Sequence, residues 1–276
     1  MERTIGKQLG SVRELWRYPV KSMLGEPLQS GHVTARGLHG DRQYAMIDVE
    51  TGRVVSAKNP RRWPTMFQYR AQMTERLSGS EALTGVRITL SNGRIVTEAD
   101  SDVDAVLSQS LGRAVRLTSV PPEKPVLEMY SPDLEDSGQE STEEMVSIPS
   151  TGFFDEAPVH LVTTATLDAL RAHYAIGQFE VRRFRPNVVI AVDSPVSGFV
   201  ENEWAGHLLA IGSTVRLSVT RGCPRCVMTT LPVQELPQDL NILRTIARHN
   251  QGVVGVLATV HTPGDISPGD AVSLCR

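Results

Sequence analysis

VRLSVTRGCPRCVMTT, residues Val215 to Thr230, begins as an alternating strand and runs into two cysteines spaced C-x-x-C. Val215, Leu217 and Val219 share one face, the period-two pattern of a half-buried strand. Similar signals recur on both sides. VVIAV (Val188 to Val192) and GVVGVLATV (Gly252 to Val260) read as strands, and PGDISPGDAVSL reads as a turn and a last strand. In the N-terminal half, VRITLSNGRIVT (Val86 to Thr97) predicts a hairpin: Val86, Ile88 and Leu90 alternate, Asn92-Gly93 turns the chain, and Ile95-Val96 return.

Helices are fewer. DSDVDAVLSQSLGR (Asp100 to Arg113) carries a Val103, Val106, Leu107, Leu111 stripe, capped at Asp100 or Ser101 and stopped by Gly112. TTATLDALRAHY (Thr163 to Tyr174) starts at a threonine cap after the apolar strand VHLV. QDLNILRTIARHN (Gln238 to Asn250) follows Pro237 with its stripe on Leu240, Leu243, Ile246 and Ala247. The pattern predicts a mainly β protein with a few helices, of the α+β class.

The cysteine pair admits several readings on spacing alone: a disulfide, half a zinc site, a redox dithiol, a ligand to the metal of a larger cofactor, or a buried inert pair. Structural zinc usually takes four ligands, and the seven histidines (32, 39, 160, 173, 207, 249 and 261) show no H-x3-5-H spacing. A thioredoxin-like dithiol sits at a helix N-terminus, and VMTTLPVQ is a poor helix start.

Composition bounds the rest. Of 276 residues 40% are apolar and 21% charged, which predicts a packed core rather than disorder. A net charge of −3 argues against a nucleic-acid or anionic-membrane surface over the whole protein, but leaves room for a local basic pocket. Three cysteines are too few for a disulfide scaffold of this size, and the penultimate Cys275 is expected to play no chemical part. The start, MERTIGKQLGSV, has no apolar signal core, and no run approaches the length of a membrane span. The expectation is a cytoplasmic protein. One stretch stands apart: Pro121 to Thr151 is acidic and rich in proline and serine, and reads as a mobile surface connection between two β-rich halves.

Basic residues gather at strand ends beside Gly, Ser, Asn or Pro. They occur in YPVKSM (Tyr18 to Met23), GLHGDRQYAMID (Gly37 to Asp48), SAKNPR (Ser56 to Arg61) and RRFRPNVVI (Arg182 to Ile190). Four such ends in a mildly acidic chain suggest convergence on an anion, for which arginine offers a planar fork and lysine a point charge.

YPVKS, GDRxYA, RFRPN, CPRCxxTT and a terminal PGDIxxGD, in this order, resemble a MOSC domain protein with the MOSC N-terminal β-barrel domain. The resemblance spans about Gly10 to Leu274 and points to the mitochondrial amidoxime-reducing components and the bacterial MOSC reductases of N-hydroxylated bases. It implies an N-terminal β-barrel-like domain (10–120), an acidic linker (121–150) and a MOSC β-barrel domain (151–276). It also implies a molybdenum cofactor, Mo-molybdopterin, with Cys226 as the metal ligand and catalytic residue and Cys223 outside the metal's first shell. Lys21, Ser22 and Arg42 match cofactor-holding residues of the N-terminal domain, Arg185 and Asn187 match the pair opposite, and Arg225 matches a pterin contact. Asp155, Thr163 and Thr164 come from a segment that lines the site in the family.

The implied activity is an oxidoreductase that removes oxygen from small N-hydroxylated substrates (hydroxylamines, amidoximes, N-hydroxylated bases), with electrons from a separate flavin or iron–sulfur protein. Three cysteines cannot hold a plant-type [2Fe–2S] cluster. The contrasting expectation is a non-redox carrier of the cofactor or of sulfur. This chain departs from its relatives after Thr229-Thr230, where Leu231-Pro232-Val233-Gln234 replaces an Asp-Pro-x-Thr-Gly-like turn.

Overall fold

The computed structural model describes residues 5–75, 83–133, 141–193 and 195–275. The first half runs β1 (Ile5–Arg17), β2 (Glu26–Leu28), β3 (Gly31–Thr34), β4 (Gly37–Leu38), β5 (Ala45–Asp48) and β6 (Arg70–Glu75). It continues with β7 (Leu83–Thr89), β8 (Ile95–Thr97), α1 (Val103–Leu111) and β9 (Val115–Thr118). A hairpin of β10 (Val126–Ser131) and β11 (Thr142–Ser147) follows. The second half runs β12 (Val159–Thr163), α2 (Thr164–His173), α3 (Val181–Phe184), β13 (Val188–Val192) and β14 (Leu208–Ile211). It ends with β15 (Val215–Pro224), α4 (Leu240–Asn250), β16 (Val253–Thr262), β17 (Gly264–Ile266) and β18 (Ala271–Cys275).

Seven strands close a barrel in the order β13-β12-β16-β15-β14-β18-β1, and β1 returns to β13. Closure removes the exposed sheet edges. The interior is apolar: Val12, Leu15, Leu161, Ile190, Leu209, Leu217 and Val256 are buried together. The first strand of the chain therefore completes a barrel built from the last. Gly10 allows this contact, because a Cβ there would stand 2.0 Å from the Ala191 carbonyl oxygen. Outside the barrel, α2 and α4 bury Leu167, Leu170, Ile242 and Ile246 against Val162, Val189 and Val254.

The first half has its own core, in which Val86, Ile88 and Val96 of the β7–β8 hairpin meet Val103, Val106 and Leu107 of α1. The expected turn is present, with Leu90 N–H donating to Arg94 O and Gly93 at φ 84°. Gly112 ends α1 in the left-handed conformation at φ 69°.

The acidic stretch differs from the irregular connection that composition predicts, because β10 and β11 pair from Val126↔Ser147 to Ser131↔Thr142. Its centre, 134–140, lies outside the described residues. The hairpin forms because Leu127, Met129, Val146 and Ile148 pack on Ile47, Val54 and Phe153. Glu128 meanwhile pairs with Arg53 and Arg62. A few apolar positions at period two outweigh the acidic average.

Gly255 interrupts β16 at φ 76°, where a Cβ would lie 2.3 Å from Leu161 O and 2.5 Å from His160 Nε2. Gly255→Ala combines left-handed strain with a backbone clash. It is expected to destabilise the protein by about 2–4 kcal/mol, read as a lowered urea midpoint at unchanged m-value. Unaltered stability would show that β16 can shift to make room. Among the described residues no helix is long and apolar enough to cross a membrane.

Candidate functional site

A cleft lies where the barrel rim meets the first half. It spans about 790 Å³ of space, its open mouth included. Strand β15 brings Cys223, Pro224, Arg225 and Cys226 to one wall. Lys21 and Ser22 come from the turn between β1 and β2, Arg42 from the turn between β4 and β5, Asp155 from the approach to β12, and Arg185 and Asn187 from the α3–β13 turn. Residues more than two hundred positions apart thus face one space.

Six basic side chains line the cleft (Lys21, Arg42, Lys58, Arg183, Arg185 and Arg225) against two carboxylates, Asp155 and Glu156. Glu156 is already paired with Arg221. Asp155 bridges Lys21 and Lys58, the latter at 3.0 Å, and Lys21 also donates to Phe153 O at 2.9 Å. Burial lowers Lys21 to about 8, with the Asp155 charge opposing. Lys58 moves upward: burial would lower it, but Asp155 and then Cys226 hold its charge. Burial would raise the Asp155 carboxyl, and the two lysines hold it well below its usual range.

The arginines are held rather than solvated. The Arg42 and Arg185 guanidiniums pack 4.8 and 4.6 Å from the Tyr18 ring centre. Arg42 donates to Asn187 Oδ1 at 3.3 Å and to Arg185 O at 3.2 Å. Asn187 in turn accepts from His160 N–H at 3.1 Å and donates to Trp16 O at 3.3 Å, so its amide ties Arg42 to the barrel. Arg225 donates to Cys223 Sγ and to Phe184 O, each at 2.9 Å. Burial pushes the Cys223 thiol up, against the pull of Arg225.

Backbone strain collects at the same place. Of the five described non-glycine residues with positive φ, Ser22 (62°), Arg42 (45°) and Arg185 (53°) line the cleft. Each costs on the order of 1–3 kcal/mol and persists only where its surroundings impose it.

Cys223, Cys226 and Cys275 are all free thiols; Cys226 is half-buried and Cys223 buried. Cys275 packs with Leu208 and Ala210, away from the cleft. After Cys226 the chain makes one 3-10 turn, Val227–Thr230, rather than an α-helix. Among the described residues no group of three or more His, Cys, Asp and Glu side chains converges as a metal cluster.

Lys21, Ser22, Arg42, Asp155, Arg185, Asn187, Arg225 and Cys226 line this one cleft. Thr163 and Thr164 do not. The Thr163 hydroxyl caps α2 through Thr166 N–H and donates to buried Glu201 at 2.6 Å, which points it away, and Thr164 is the first residue of that helix. The motif reading passed over Lys58, His160 and Arg183 as site residues. SAKNPR did flag Lys58 as a strand-end cation, but nothing local ties it to Asp155.

The side chains present fit an anionic ligand that carries a soft metal. The Nε atoms of Arg185 and Arg225 are buried without a hydrogen-bond partner, cations exceed carboxylates, and one half-buried thiol faces the same space. Sulfur of this kind suits a soft centre.

Residues 149–273 match the MOSC domain model, and residues 9–109 match the MOSC N-terminal beta barrel domain model. Mitochondrial amidoxime reducing component 2 of Macaca fascicularis is 24% identical over 260 residues, covering 82% of this chain and 68% of that protein. Component 2 of Bos taurus is 26% identical over 245 residues, covering 82% and 67%. Mitochondrial amidoxime-reducing component 1 of Homo sapiens is 25% identical over 309 residues, covering 99% and 85%. With both domain models matched in tandem, this chain is a MOSC-domain protein that carries a MOSC N-terminal beta barrel domain.

Proposed function

We propose that this protein holds a molybdopterin cofactor through Cys226 and reduces small N-hydroxylated compounds to amines. The observation that carries the reading is the half-buried free thiol of Cys226 on the wall of a cleft lined by six buried or half-buried cations. Lys21, Arg185 and Arg225 would hold the anionic part of the cofactor, and Ser22 would face it from its strained turn. Asn187 would keep Arg42 in place, as its amide already does. Asp155 bridges Lys21 and Lys58 and offsets part of their charge. The names of the relatives support the amidoxime class of substrate.

When bound, the group supplies a centre that accepts an oxygen atom and cycles two electrons. The balance is R–NH–OH plus two electrons and two protons, giving R–NH2 and water as the N–O bond breaks. The electrons come from a separate flavin or iron–sulfur protein. The chain's part is to fix the cofactor, exclude bulk water and leave one side open to substrate. We further take 10–120 and 151–276 as the working domains, joined by 121–150, in a cytoplasmic protein.

The test is protein made in a host that synthesises the cofactor, assayed for molybdenum and pterin and for amine formation from an amidoxime with a reduced dye. Near-stoichiometric metal with turnover is expected. Metal-free protein would sink the reading. Loaded protein inert to every N–OH substrate would favour a carrier of cofactor or sulfur.

A further inference from the structure

Arg183 is 1% exposed, and among the described residues it makes no ion pair. Its guanidinium is spent on main-chain carbonyls. Nε donates to Gln178 O at 2.9 Å, Nη1 to Thr229 O at 3.2 Å and to Leu231 O at 2.9 Å, and Nη2 to Pro237 O at 2.7 Å. A buried cation is costly unless its donors are satisfied. Here four acceptors from three segments do so at once, which only a planar fork can manage.

One of those acceptors, Thr229 O, belongs to the Val227–Thr230 turn that follows Cys226, and a second, Leu231 O, lies immediately after it. Thr229 holds the Cys226 carbonyl twice, by its N–H at 3.1 Å and its hydroxyl at 3.0 Å. Arg183 then holds the Thr229 carbonyl. A continuous chain of hydrogen bonds therefore runs from α3 to the cysteine. The other two anchors bracket this region: Gln178 lies before α3, and Pro237 ends the loop that starts at Leu231. That loop closes through paired Val233 and Leu236 backbone bonds, with Gln234 at φ 52°.

We infer that Arg183 is a positioning residue for Cys226: its fork locks the Val227–Thr230 turn to α3 and so sets the direction of the thiol and the shape of the adjoining loop. The inference rests on the cofactor reading for its consequence, but not for the mechanical link. Neighbouring Arg182 supplies a control, because it grips the same loop from the surface through Gln234 and Glu235.

The experiment compares Arg183→Met, Arg183→Lys and Arg182→Ala with wild type in two states. In cofactor-free protein, amide exchange at Thr229 and Leu231 is expected to quicken about tenfold or more in both Arg183 variants and to stay within about twofold in Arg182→Ala. In cofactor-loaded protein, the paramagnetic resonance signature of the half-reduced metal is expected to shift. kcat is expected to fall about 10- to 100-fold with KM little changed, as for a misplaced reacting group. Lysine keeps the charge and loses the fork, so full rescue by Arg183→Lys would overturn the inference. So would folded Arg183 variants with wild-type exchange and an unshifted signature. If Arg183→Met fails to fold, Arg183→Lys carries the test alone. If wild type takes up no metal, the cofactor reading fails, and the exchange rates alone still decide whether Arg183 holds the turn.

Discussion

Cys226→Ser is expected to leave a folded protein that takes up little molybdenum and has lost N-reduction by at least about 100-fold. The exchange of sulfur for oxygen is small in volume, and Cys226 is only half-buried at the mouth of a 3-10 turn whose bonds run through its backbone. Thermal unfolding should therefore move by only a few degrees. The metal should respond far more, because a soft sulfur ligand is replaced by a hard oxygen. Metal content per chain and amine formation check this directly. Cys223→Ser is the contrast: Cys223 accepts from Arg225 and is buried, so its loss should loosen Arg225 and retain most of the metal. Equal metal loss in both variants would mean that the pair acts together and that the assignment to Cys226 alone is wrong.

The cofactor-free protein is also expected to lose stability steeply as pH falls from about 6.5 towards 3, with His160 a main cause. Its ring is buried beside the cleft, and Nε2–H donates to Val254 O at 3.0 Å. Burial, then the Arg225 charge, lowers its pKa to about 3, against an unfolded value of 6.5. Between those values the unfolded chain binds a proton that the folded chain refuses. Stability is thus fully present above 6.5 and drains away as pH drops through the window, by on the order of a few kcal/mol. Asp155 acts with the same sign at lower pH. Its carboxyl is depressed in the fold by Lys21 and Lys58, so the stability it adds is present above its ordinary range near 3.8 and is lost below it. His160→Gln should flatten the slope of unfolding free energy against pH between 3 and 6.5. An unchanged slope in that variant would assign the acid sensitivity to other groups.

How much of this was legible in the sequence depended on the distance over which each cause acts. The β7–β8 hairpin, the stop of α1 at Gly112 and the threonine cap of α2 are local. Asn92-Gly93, a glycine at the helix end and a hydroxyl three residues before an N–H decide them within a few positions, and the structure shows each one. The strand Val188–Val192 was legible to the residue because its apolar run is unbroken. The ordered motifs named Lys21, Arg42, Arg185 and Cys226 as one set, and the cleft holds them together.

Other features had no local signal. β1 pairs with β13 from Gly10↔Val192 to Leu15↔Val188, and nothing in residues 5–17 names that partner. The β10–β11 hairpin hid inside an acidic average. Lys58 needed Asp155 from the other half, and Arg183 needed three separate carbonyl segments. The sequence by itself determined the turns, caps and strand periodicity, because these depend on backbone sterics and hydrogen bonds between near neighbours. Only the tertiary structure decided which strands close the barrel and which buried cations share the cleft, because burial and pairing free energies are settled between surfaces that meet only once the chain has folded.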